Sequence, residues 1–189
     1  MQSETIDVTT VPAAPGVSDP RELATGLFVA TAGELALQVA ITMTGGTQGH
    51  LARAMPLLGV FVVISTIVLL CWLRRCRLNA EILAPGTHRY APGFAVGGWF
   101  IPVAMWWIPR RIVLDIRRAS GLSGRGWPVE GWWWTRLAKL PVAAALTCAG
   151  VKSNPLLSPY TMPLGVAAAV LMILMVREIT AAQASRLTP

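Results

Sequence analysis

Arg111, Asp115 and Arg118 stand at i, i+4 and i+7, a spacing that puts all three on one face of a helix. Arginine's planar fork matches the oxygens of a phosphate, and a neighbouring carboxylate holds that fork in position. With Arg110 beside them and Trp99, Trp106 and Trp107 just upstream, they form a candidate site for a lipid phosphate or another anionic headgroup. The plainer alternative is that these arginines only orient the chain at a membrane surface, paired locally with Asp115. An exposed pair of that kind is worth little. Glu34 stands out for its surroundings: it lies inside the apolar run Leu23–Met43, with Thr31 one turn before and Gln38 one turn after. Acidic residues at mid-bilayer are costly and face protein or water. No basic residue is expected at the same depth. Glu34 therefore serves either proton or cation movement or hydrogen bonding between helices. Asn79 and Glu81, in CWLRRCRLNAEIL, either turn toward the 110–118 arginines or are solvated on a continuing helix.

Other familiar chemistry lacks its residues. His50 and His88 are far apart without metal-ligand spacing, and no HExxH, GxSxG, Walker or Rossmann pattern occurs. Cys71, Cys76 and Cys148 form no CxxC, although Cys76 stands among arginines, the setting of a reactive thiol. Met172 and Met175 make a single MxxM that reads as packing. Neither metal nor cofactor is expected, and the reading leans away from an enzyme.

The elements that must hold these residues follow from composition. Of 189 residues, 54% are hydrophobic and 13% charged, about half the charge of soluble domains. An all-α integral membrane bundle is expected. The formal charge of +7 fits basic loops that set orientation and touch anionic lipid, with no nucleic-acid partner. Residues 1–20 read as a disordered cytoplasmic tail and 21–187 as one polytopic membrane domain.

Four runs are expected to span, each near the 20 residues a bilayer needs: Leu23–Met43, Met55–Leu73, about Trp132–Val151 and about Pro159–Val176. The disputed stretch is 92–118, PGFAVGGWFIPVAMWWIPRRIVLDIRR. A fifth span through 92–108 divides the basic residues six to ten, almost without bias. Entry and exit on one side puts 14 of the 16 on one face, leaving Arg53 and Lys152 opposite, and such an excess marks the cytoplasm. Phe94–Ile108 is also short, at about 22 Å as a helix, and Pro102 costs it a backbone hydrogen bond. A re-entrant or interfacial element is therefore expected, with both termini cytoplasmic and five spans as the alternative. All eight tryptophans fall between Trp72 and Trp134, consistent with a one-sided interfacial belt. PRRIVLDIRRAS reads as an interfacial amphipathic helix with the stripe Ile112, Val113 and Ile116.

RLNAEIL, APGFAVGGWFIP, the Trp-x-Pro of Trp107–Pro109, DIRRAS and the terminal VREITAAQASRL together resemble the actinobacterial membrane family called domain of unknown function 4328. The similarity covers roughly residues 23–187, with Trp99–Pro102 its most specific block. Members commonly carry asparagine where this chain has Met105 and tryptophan where it has Arg117. The resemblance implies a membrane location and an actinobacterial source, and no activity. The expected role is a non-enzymatic accessory or scaffold engaging lipid or a membrane partner, possible as a homo-oligomer. The alternatives are a proton, cation or small-solute transporter or channel subunit using Glu34, and an intramembrane enzyme acting on a lipid.

Overall fold

Asp19 and Pro20 start the first helix as their types require: the Asp19 carboxylate accepts the Arg21 backbone N–H at 2.9 Å, satisfying one of the orphan donors of a helix start. The computed structural model describes residues 16–43, 48–151 and 154–186. Most of the expected tail, together with Lys152 and Leu187, lies outside them, as do the side chains of His50 and Arg53. Every regular element among the described residues is helical. These are α1 (Arg21–Met43), α2 (Gln48–Leu83), α3 (Phe94–Gly97), α4 (Ile108–Ala119), α5 (Trp127–Cys148) and α6 (Met162–Ala184), with 3-10 turns at Ala104–Trp106 and Pro155–Leu157. Proline opens α4, α5 and α6, where its missing N–H is no loss.

Among the described residues, three helices are long and apolar enough to cross a membrane: Arg21–Met43, Ala54–Leu83 and Met162–Ala184. The fourth expected span, α5, has the length at 22 residues. Its first half carries four tryptophans, Glu130 and Arg136, with Lys139 just past the middle, and these keep it out of that set. The second helix continues past the end of the expected span at Leu73 to Leu83, so Asn79 and Glu81 lie on a continuing helix.

Packing divides the bundle into two helix pairs, α1 with α2 and α5 with α6, joined mainly through α1 and α6. Gly33 permits the first pairing, because a Cβ there would lie 2.6 Å from the Phe61 ring. The seam between α2 and α5 stays largely unpacked. The tight core gathers at one end, where Trp72, Leu73, Cys76, Ile116, Val129 and Ile179 are each at most 1% exposed. Asn79 identifies which ends meet there. Its side-chain amide bonds Ser18, just before α1, and Gln183, at the end of α6. The start of α1 and the ends of α2 and α6 therefore lie together, and α5 runs the opposite way to α2 and α6.

The 92–108 stretch is no continuous helix. It breaks into α3, a bend and a 3-10 turn, and it folds back on itself, so that a Cβ on Gly98 would lie 2.9 Å from Ile108 Cγ2. Its two flanks also meet, with Arg111 Nη1 reaching the Tyr90 hydroxyl at 3.5 Å. Two expectations about this region need correction. The α4 stripe of Ile112, Val113 and Ile116, expected to face lipid, is at most 3% exposed and belongs to the protein core. The tryptophan belt also divides, because Trp72, Trp132 and Trp133 are core residues while Trp106, Trp107, Trp127 and Trp134 are exposed.

Candidate functional site

The arginines expected to bind an anion do not converge. Arg110 spends its fork on Glu130 of α5, with Nε donating at 2.8 Å. Arg118 pairs with Asp115 at 2.9 Å, three residues back on its own helix. Arg111 is exposed, and among the described residues it reaches only the Tyr90 hydroxyl, at 3.5 Å. The tryptophans separate too: Trp106 and Trp107 are both exposed, but of the three only Trp99 and Trp106 line a cavity between the helices.

The basic end instead contains arginines whose charge is internally matched. Arg117, 6% exposed, donates to Glu178 at 2.7 Å and to the carbonyls of Leu122 and Gly124. Arg77, 3% exposed, donates to Glu81 at 2.6 Å and to the Tyr90 carbonyl at 2.7 Å. Glu81 is thus held within its own helix, and it does not meet the 110–118 arginines. Asn79 is buried and fully bonded, contrary to solvation on an exposed helix. Gln183 completes this knot by donating to the Cys76 carbonyl at 3.0 Å and to Ser120 Oγ at 3.1 Å. Cys76 itself is wholly enclosed, so its neighbours in sequence do not make it an accessible nucleophile.

The place with unspent polar chemistry is a cavity of about 520 Å³ between α1, α2, α5 and α6, closed at one end by the 92–108 hairpin. Glu34 and Gln38 enter it from α1, Ser65 from α2, and Arg136 and Lys139 from α5. Gln38 donates to Glu34 Oε1 at 3.1 Å, and Ser65 Oγ donates to Oε2 at 2.8 Å. Arg136 and Lys139 both feel the Glu34 carboxylate, though among the described residues no ion pair within 4 Å joins them to it. Arg136 lies over the Trp99 ring, 5.5 Å from its centroid, a cation–π contact. Trp99 in turn packs edge-on to Trp133 at 6.2 Å and tilted to Trp132 at 6.3 Å. Lys139 reaches the α6 backbone at Gly165, where an added Cβ would lie 3.1 Å from Nζ.

The expectation that no basic residue shares the depth of Glu34 is therefore wrong. Arg136 and Lys139 lie nine and twelve residues past Trp127, about 14 and 18 Å into α5, while Glu34 lies about 20 Å into α1. Two of the fourteen residues assigned to the basic face lie instead along the lining of this cavity, Arg136 exposed and Lys139 half-buried. The signal was present as two cations one turn apart in an apolar run. Only their opposition to Glu34 across the bundle was missing.

A family described as "Domain of unknown function (DUF4328)" matches residues 49–181, 133 of the 189 in the chain. No curated protein matches, and no solved structure does.

Proposed function

The chain belongs to the domain of unknown function 4328 family, and on that premise we propose a multi-pass protein of the bacterial cell membrane that takes a membrane lipid into its central cavity, acting as a non-enzymatic accessory or scaffold. Four crossings are the arrangement that chain direction supports. Helices α2 and α6 run the same way, so the chain must return between them. At 22 residues, or about 33 Å, α5 has the reach to do so. Its Arg136 and Lys139 line the cavity and so avoid hydrocarbon. The 92–108 hairpin then re-enters from the face it leaves. The excess of arginine at that end supports a cytoplasmic placement for it.

One observation carries the lipid reading: a cavity of about 520 Å³, in the size range of small-molecule sites, lies beside the unpacked α2–α5 seam. Within a bilayer, that seam faces lipid. Native mass spectrometry of the full chain released from mild detergent tests it. Wild type should retain lipid, and Ala169→Phe, which fills the cavity wall, should retain several-fold less while eluting as the same folded species. Equal lipid retention by the two would remove the cavity from the account.

Glu34 supports a second reading, proton or cation movement, because its carboxylate is held by Gln38 and Ser65 inside the same cavity. Liposome flux measured for wild type and Glu34→Gln separates the two, since a lipid-binding accessory gives no flux in either.

A further inference from the structure

We infer that the lipid held in this cavity carries a phosphate head, bound by Arg136 and Lys139; the inference rests on the lipid reading above and adds the chemistry of the head group. The cavity is rich in donors and poor in acceptors. Arg136 brings five N–H groups and Lys139 three, and among the described residues neither makes a hydrogen bond or an ion pair within 4 Å. The carboxylate that faces them, Glu34, already accepts from Gln38 and Ser65, and its single negative charge leaves one of the two cations unbalanced.

Two further polar groups have no partner. Thr31, 6% exposed, lines the cavity with its hydroxyl unbonded, and the Trp99 indole N–H has no acceptor. A buried donor without an acceptor is costly, so what the cavity lacks is oxygen. An anion bearing one charge would bring the cluster to neutrality.

The arrangement favours phosphate over carboxylate. Arg136 and Lys139 are three residues apart on α5, so they flank a ligand from two points on one face. A guanidinium fork occupies two oxygens of its partner. A carboxylate is then used up, whereas a phosphate keeps a third oxygen for the Lys139 ammonium. Apart from Thr66 the remaining lining is apolar, with Leu27, Val62, Leu69, Leu137, Leu140 and Met172 among it, which suits acyl chains better than a free hydrated ion.

The test is titration of the full chain in detergent micelles, read by tryptophan fluorescence. The probes are phosphatidic acid, diacylglycerol with the same chains, a fatty acid and inorganic phosphate. Wild type should bind phosphatidic acid about tenfold more tightly than diacylglycerol or the fatty acid, a gap of about 1.4 kcal/mol. The double variant Arg136→Gln, Lys139→Gln should lose that preference, while Arg136→Lys, which keeps the charge, should retain part of it. Glu34→Gln, which removes the opposing charge, should tighten phosphatidic acid several-fold and leave diacylglycerol unchanged. Equal binding of phosphatidic acid and diacylglycerol by wild type would overturn the head-group inference and leave the lipid reading standing. Equal binding of the fatty acid would overturn phosphate. Displacement of phosphatidic acid by equimolar inorganic phosphate would replace the lipid with a free anion, and no binding of any lipid would take down both readings.

Discussion

Asn79 shows what a single side chain does here. Its amide is 1% exposed and bonds Ser18 twice and Gln183 once, at 2.8–2.9 Å. Ser18 is exposed, so water can replace its bonds, whereas Gln183 is 0% exposed and cannot be rescued. Asn79→Ala should therefore cost about 2 kcal/mol, the price of one stranded buried acceptor, read as a lower thermal midpoint in detergent. Asn79→Asp should not restore it, because the amide N–H that Gln183 accepts is gone. A change within error of wild type would show that the knot is dispensable. The sequence revealed Asn79 as a polar residue on a helix extension, but not its partners, which lie 61 and 104 positions away.

For single elements, the hairpin and α4 are the informative cases. The hairpin was legible because hydropathy, proline and charge are local quantities: Phe94–Ile108 is too short to span and is interrupted at Pro102. Its closure depends on Gly98, where a Cβ would come within 2.9 Å of Ile108 Cγ2. Gly98→Ala should destabilise by about 1–2 kcal/mol through overpacking, and the penalty should shrink when Ile108→Ala removes the opposing methyl. A double-mutant cycle measures this, and strict additivity would mean that the contact is not the cause. The α4 stripe was legible as amphipathic, while its destination was not. Lipid and protein core are both apolar, so periodicity alone cannot distinguish them. The contacts with α2 and α5 and the Arg110–Glu130 bridge decide it.

Across the whole molecule, chain direction bears on how many helices cross. Hydropathy by itself supports three candidates, and the proposed fourth rests on the chain returning between α2 and α6. Single cysteines at Ala91, Ser123 and Asn154, all exposed, test this once Cys71 and Cys148 are replaced. Ala91 and Ser123 should label from the same side of the membrane, on either side of the hairpin. Asn154 should label from the other, across α5. Labelling of Ser123 and Asn154 from one side would remove α5 as a crossing. Opposite labelling of Ala91 and Ser123 would make the 92–108 segment a span.

Composition and local pattern alone determined the all-helical apolar architecture, three of the crossing helices, the break at 92–108 and the anomaly of Glu34. Each depends on residues within a few turns of one another, and hydrophobic free energy is close to additive over such a window. Tertiary structure alone decided where the charges are spent. It gave Arg110 to Glu130 and Arg117 to Glu178, and it turned Arg136 and Lys139 toward Glu34 in a shared cavity. A buried charge or hydrogen-bonding group is stable only with a partner, and for Arg110 and Arg117 the partner comes from another helix. The proposed site therefore moves from the arginine-rich helix that the sequence singled out to the cavity between the helices.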